Sequence, residues 1–285
     1  MANINRRTVV SGAGLAVTCL AYPALARTTF RLGLSPVFLD NNAIVIEAIQ
    51  EALEASLGVA IKLEQRRTYK EVTGLLLEGA VDAAWLCGYP YLQHSSQLAL
   101  LAVPVWRGRV LYQSYLIAGA DNPAASLKDL RGATHAFSDP DSNSGYLVTV
   151  SDLARNGETP DTFFRRSIYT FGHRNVVRAV ADGLVASGSV DGYVWEVLAA
   201  QEPHLTKRTR VVSKSEWLGF PPVCARKDRH DTPLVQSFKT ALFEFSETRL
   251  GSQVLQLLQL DGFTDADPSI YDGISARMKV IETLR

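Results

Sequence analysis

Two alternating rhythms of apolar residues run along the chain, and together they describe an α/β protein. Thr29–Leu34 alternates with period two and predicts a strand. Ala43–Leu57 places Ile44, Ile49, Leu53 and Leu57 on one helical face and stops at Gly58, a residue suited to a helix end. Residues 60–64 predict a second strand and 69–78 a second helix, with Val72, Leu75 and Leu76 turned inward. Residues 81–87 and 98–105 are nearly unbroken apolar runs, as expected of strands covered on both faces. Residues 110–118 are long and extended and lead to the breaker Asn122-Pro123.

The pattern then begins again. A capped turn over 126–132 precedes a strand at 133–137 and a helix at 146–155. A short helix (161–165), a strand (167–171) and a helix (175–186) follow. Next come a strand-to-helix turn over 192–200, a strand at 208–213 and an extended run at 221–226. Helices over 234–249, 251–258 and 266–285 close the chain. Two α/β units in series, joined through the extended segments 110–118 and 213–226, predict two lobes with two crossings. The expected division is lobe 1 at 27–115 and 219–285, and lobe 2 at 116–218. Ligand then belongs at the carboxyl ends of strands from both lobes.

One turn carries candidate chemistry. Ser138-Asp139-Pro140-Asp141-Ser142-Asn143-Ser144-Gly145-Tyr146-Leu147 reads as strand end, tight turn and helix start. Pro140 suits the turn, and Ser142, Asn143 and Ser144 are all good helix caps. Gly145 permits close approach to the backbone. The tip of a helix has unpaired N–H groups and the positive end of its dipole, so hydroxyls and an amide there can surround an oxyanion. An ordinary capped helix gives the same spacing, so the turn alone leaves both readings open.

The first 26 residues form a separate segment. Arg6-Arg7 precede an apolar stretch, and Ala24-Leu25-Ala26 is a small-x-small cleavage site, which predicts a secretory signal of the twin-arginine type and a periplasmic mature protein. The whole chain carries 29 basic and 29 acidic residues; loss of Arg6 and Arg7 leaves 27 against 29. With no basic block, nucleic acid and anionic membranes are excluded as partners. Cys87 and Cys224 remain, as one disulfide or two thiols. The five histidines are scattered, and no zinc spacing, nucleophile elbow or phosphate loop with lysine is present. The expectation is therefore a binding protein, with no enzyme activity, cofactor or metal, and a monomer.

Several stretches, in order, resemble the periplasmic phosphonate-, phosphite- and phosphate-binding proteins of the type II solute-binding fold. They are Gln65-Arg66-Arg67-Thr68-Tyr69, Asp82-Ala83-Ala84-Trp85-Leu86-Cys87-Gly88-Tyr89-Pro90-Tyr91, the Ser138–Leu147 turn, Phe171-Gly172-His173 and Val190-Asp191-Gly192-Tyr193-Val194-Trp195-Glu196. The resemblance implies an α/β, two-lobed periplasmic-binding-protein fold. It further implies capture of a small oxyanion for an ABC transporter permease, with a ligand set of Tyr69, Cys87, Tyr89, Ser142, Asn143, Ser144, Tyr146, His173, Tyr193 and Glu196. Glu196 is the expected acceptor for a proton-bearing ligand oxygen. Aminoalkyl-phosphonate binders hold the ligand ammonium with acids; one such position reads Phe220-Pro221-Pro222 here, which argues against an aminoalkyl ligand. Cys87 resembles the cleft cysteine of a related group of arsenite-binding sensors that signal to a histidine kinase. That gives the alternative function, with Cys87 equally readable as a small buried hydrophobe.

Overall fold

The computed structural model describes residues 29–36 and 43–282; the expected export signal lies outside them. The strands, in chain order, are β1 (Thr29–Leu34), β2 (Ala60–Gln65), β3 (Ala83–Trp85), β4 (Leu98–Val105), β5 (Leu111–Tyr112), β6 (Ser114–Gly119) and β7 (Thr134–Phe137). They continue with β8 (Arg166–Tyr169), β9 (Ser187–Asp191), β10 (Thr209–Lys214), β11 (Leu218–Gly219), β12 (Val223–Arg226) and β13 (Gly262–Thr264). They form a sheet ordered β13-β4-β12-β3-β1-β2, a second ordered β10-β6-β9-β7-β8, and a two-stranded ribbon of β5 and β11. In each large sheet a parallel core (β2, β1 and β3; β8, β7 and β9) is extended by antiparallel strands. No described helix is long and apolar enough to cross a membrane.

The ribbon is where the two crossings meet. Leu111 and Tyr112 pair with Gly219 and Leu218. Beside them Ser215 N donates to Ser114 O at 2.9 Å, and Ser114 N donates to Ser215 Oγ at 2.9 Å. The single extended run expected at 110–118 is thus broken at Gln113, where the chain leaves the ribbon and enters the second sheet. The helix Asp272–Glu282 lies over this junction. Its Arg277, 3% exposed, binds Val148 O, Ser151 and Asp152 on one side and both carboxylate oxygens of Glu216 on the other.

Several boundaries moved for identifiable reasons. The apolar run 81–87 is strand only at Ala83–Trp85, because Cys87 begins a helix, Gly88–Gln93. Pro90 falls in that helix's first turn, where its missing N–H costs nothing. The helix expected over 234–249 ends at Phe243, and Thr248 caps the next one by accepting from Gly251 N. Ile44, expected inward, is exposed; Val45, Ile49, Ala52 and Leu53 form the buried face. One apolar cluster runs continuously from Phe30 and Tyr69 through Tyr112 to Tyr193 and Val194, so the lobes share a core.

Candidate ligand site between the lobes

The turn after β7 is built by short-range bonds. Ser138 N donates to Gly145 O at 3.1 Å, and Ser142 N to Asp139 O at 3.0 Å. Asp139 Oδ1 accepts from Asp141 N at 2.8 Å, the local side-chain bond that makes Asp a turn former. Ser142 caps the helix by accepting from Gly145 N at 2.9 Å. The first helical turn, Asn143–Leu147, is wide: Leu147 N reaches back five residues to Ser142 O. Such wide turns concentrate at functional positions. A Cβ on Gly145 would stand 1.8 Å from Ser138 Oγ, so only glycine fits. The helix therefore starts at Asn143, three residues before the sequence-based expectation.

The first lobe brings its residues against this tip. A capping box between Thr68 and Glu71 fixes the start of the helix Tyr69–Leu77. Tyr69 N donates to Asp139 Oδ2 at 3.2 Å, and Tyr69 Oη lies 3.0 Å from His173 Nε2. Asn143 N donates to Cys87 Sγ at 3.2 Å, and Asn143 Nδ2 to Tyr112 Oη at 2.9 Å. Every one of these bonds crosses from one lobe, or the hinge ribbon, to the other.

Burial sets the protonation states. Asp191 N donates to His173 Nδ1 at 3.1 Å, so that nitrogen carries no proton. In the neutral ring the proton is then on Nε2 and donates to Tyr69 Oη, which leaves the Tyr69 hydroxyl hydrogen to point elsewhere. Burial holds the His173 pKa down to about 3, so the ring is neutral. Burial pushes the Cys87 thiol up to about 12, against the N–H groups of Asn143 and Tyr89, which favour the thiolate. Burial also raises Asp191 to about 7, although its Oδ1 accepts from Tyr193 N and Val194 N. Asp139 is raised as well, chiefly by burial.

Two polar atoms here have no partner: Ser138 Oγ and Asn143 Oδ1, in side chains at most 1% exposed. Buried polar groups in folded proteins are almost always bonded, and an unbonded one costs about 1–3 kcal/mol. Beside them lie the Ser142 hydroxyl, which accepts from Gly145 N, and the Tyr112 hydroxyl, which meets the side chains of Asn143 and Ser144. No cation joins them. Arg277 is the one buried cationic side chain among the described residues, and it is already bound to Glu216 and Asp152. No described group of His, Cys, Asp and Glu could hold a metal ion.

Of the ten expected ligand residues, six converge: Tyr69, Cys87, Ser142, Asn143, Ser144 and His173. Tyr89 is buried and turns its backbone N–H to the Cys87 sulfur. Tyr146 packs on Phe137 and Tyr169 within the second lobe. Tyr193 and Glu196 do other work. The Tyr193 hydroxyl donates to Leu258 O at 2.5 Å, its ring wedged against Trp106 and Phe220. Glu196 lies at the rim, paired with Arg107 at 3.3 Å and accepting from Tyr115 Oη at 3.0 Å. Five residues before it, the buried Asp191 meets the cluster through its backbone N–H, at His173 Nδ1. Sequence reasoning missed Ser138, Asp139, Tyr112 and Asp191. The last was hidden because an acid before a strand-to-helix glycine reads as a plain cap, which it also is. Cys87 and Cys224 are both buried and free, so the disulfide alternative falls.

Known proteins match this architecture along almost the whole chain. The binding protein component of an ABC phosphonate transporter from Pseudomonas aeruginosa superposes with a TM-score of 0.80 at 22% identity, covering 91% of this chain and 89% of that one. PhnD1 from Prochlorococcus marinus, solved with methylphosphonate, gives 0.76 at 16% identity over 89% and 98%. A histidine kinase sensor domain similar to periplasmic binding proteins gives 0.56 at 19% identity over 82% and 97%. Residues 37–271 match the family model described as ABC transporter, phosphonate, periplasmic substrate-binding protein. With two sheets, a paired double crossing and a polar tip enclosed between the lobes, the chain belongs to that family of periplasmic substrate-binding proteins.

Proposed function

We propose that the protein captures one small oxyanion of the phosphonate or phosphite type between its lobes and delivers it to an ABC transporter permease. The observation that carries this is the pair of unpartnered buried groups, Ser138 Oγ and Asn143 Oδ1, at the tip of the wide helical turn. Tyr69, Tyr112, Ser142 and Ser144 supply neutral donors around them, and preorganised donors bind anions well through charge-assisted bonds. The division into lobes at 27–115 with 219–285 and at 116–218 belongs to this reading, as does export through the segment 1–26. Closure places Tyr69 and Cys87 of the first lobe over the Asn143 tip of the second, so binding and closing are one event.

A thermal-shift screen of phosphate, phosphite, methylphosphonate, sulfate and arsenite tests the proposal. A ligand at a hundred times its Kd stabilises by about 2.7 kcal/mol. A shift with methylphosphonate or phosphite supports the reading, and no shift with any oxyanion ends it.

The second reading is an arsenite sensor, favoured by one observation: Cys87 sits inside the same cluster, its sulfur facing Asn143 N. Soft sulfur suits arsenic(III). An arsenite-induced shift that is lost in Cys87→Ser would support it, and one that survives would end it.

A further inference from the structure

The lobes also meet outside the buried cluster, where their seam reaches solvent. Two helix starts face each other there: Tyr69–Leu77 opens after Arg67 and the Thr68 cap, and His173–Ala181 after Phe171 and Gly172. The buried side chains of Tyr69 and His173 bond across the seam at 3.0 Å. Two residues before each stand an exposed Arg67 and a partly buried Phe171. The Arg67 guanidinium lies over the Phe171 ring, 4.8 Å from its centre. The negative face of an aromatic ring attracts a cation placed there.

Phe171 holds this position at a conformational cost. Its φ is +52°, in the left-handed region that bulky residues avoid. Bonds on both sides fix it there. Thr170 N donates to Phe137 O at 3.0 Å, Thr170 Oγ1 to Gly172 O at 3.0 Å, and Asn175 Nδ2 to Thr170 O at 3.3 Å. Arg67 is fixed as firmly from its own side: the Glu71 carboxylate accepts from Arg67 N and, at 2.9 Å, from Thr68 N. The Phe171 ring lies 6.4 Å from Tyr169 in its own lobe, while its nearer partner comes from the opposite one. A glycine would take that φ freely but would offer no face to a cation. Strain of this kind persists where the surrounding structure fixes it, and it gathers at ligand clamps.

Resting on the oxyanion reading above, we propose that Arg67 and Phe171 form a clasp over the cleft, which holds the lobes together around a captured ligand. The clasp adds to the joined arrangement of the lobes and takes no part in recognising the oxyanion. A ligand held between the lobes leaves only when they part, and parting breaks the contact. The side chains that recognise the ligand and those that retain it are therefore different, and the second kind can be altered without touching the first.

Titration calorimetry with methylphosphonate and phosphite tests this in the unaltered protein, Arg67→Ala, Phe171→Gly and the double variant. Glycine accepts the left-handed conformation, so Phe171→Gly keeps the turn. Each single change should weaken binding about two- to fivefold, the worth of an exposed cation over a ring. The double variant should bind no more weakly than the weaker single, because both changes remove the same contact. Arg67→Lys keeps a cation and should retain most of the affinity. Phe171→Leu keeps apolar bulk without the ring and should match Phe171→Gly. Full affinity in Arg67→Ala or in Phe171→Leu overturns the clasp and leaves the oxyanion reading intact. So do losses that add in the double variant, since Arg67 would then act on the anion by its charge alone. Silence from both ligands in the unaltered protein overturns both.

Discussion

His135 and His173 have the same burial and the same protonation state, and they stand in opposite kinds of place. His135 lies inside the second lobe. Its two ring nitrogens bond Ser187 Oγ at 2.8 Å and Ser189 Oγ at 2.9 Å, Ser189 in turn bonds Thr149 at 2.6 Å, and the ring stacks on Phe164 with centroids 4.3 Å apart. Every side-chain polar atom of that cluster has a partner. His173 bonds across the lobes to Tyr69, in a cluster that leaves Ser138 Oγ and Asn143 Oδ1 unmet. Both imidazoles are held down to about 3 by burial. Burial and protonation therefore do not separate a histidine in a completed polar network from one beside unmet polar groups. Unmet hydrogen-bonding capacity does, because a core polar network is worth its desolvation only when it is complete.

The contrast can be broken most forcefully at His135. His135→Ala takes one partner from each of Ser187 and Ser189 and leaves a gap beneath Phe164, so it should cost about 2–4 kcal/mol in denaturant unfolding. The folded remainder should bind ligand with unchanged affinity. The converse is expected at the interlobe cluster. Ser138→Ala removes an atom that bonds nothing in the ligand-free protein, so its Tm should hold or rise. Its affinity for the captured oxyanion should drop by about 1.5–3 kcal/mol, the worth of a hydrogen bond to a charged group. Equal affinity in calorimetry would return Ser138 to the turn as a mere packing residue.

Acidity sharpens the comparison further. Each histidine is near 3 in the folded chain against 6.5 ordinarily, so the folded state binds fewer protons and loses stability as pH falls from about 6.5 toward 3. Asp191, raised from 3.8 to about 7, works the other way: its contribution is full below 3.8 and is lost as pH rises through about 7. His135→Gln should soften the acid limb of a Tm-against-pH curve and leave the neutral side alone. Asp191→Asn should remove the loss of stability that its own titration causes between about pH 4 and pH 7, and so steepen the rise that the histidines cause over the same interval. The smallest effect is expected at the rim. Glu196→Gln breaks a largely exposed pair with Arg107 and should change stability by less than about 1 kcal/mol, with no change in affinity. A large loss of affinity there would restore Glu196 to the ligand set.

What the sequence revealed depended on how local each signal was. The alternation of Thr29–Leu34 and the caps at Ser142–Ser144 are encoded within a few residues, and they located the first strand and the capped turn before the helix. The helix Gly88–Gln93 was hidden by a Gly-Tyr-Pro-Tyr string that reads as a turn until its first-turn proline is recognised. β13 is three residues at a sheet edge, too short to show a period. Tyr112 was counted only as part of an extended crossing, because what brings its hydroxyl to Asn143 is the pairing of β5 with β11, more than a hundred residues apart. Tyr193 and Glu196 were drawn from a resemblance in sequence. Sequence cannot say which face of the helix Gly192–Gln201 meets the cleft, and neither hydroxyl nor carboxylate does.

The central claim is that the unmet groups at the Asn143 tip await a ligand oxygen. Titration calorimetry of methylphosphonate into the unaltered protein and into Ser138→Ala tests it most directly. One site per chain is expected, weakened at least tenfold in the variant while the ligand-free Tm stays put. Identical binding curves, or a variant that loses ligand-free stability instead of affinity, would contradict it.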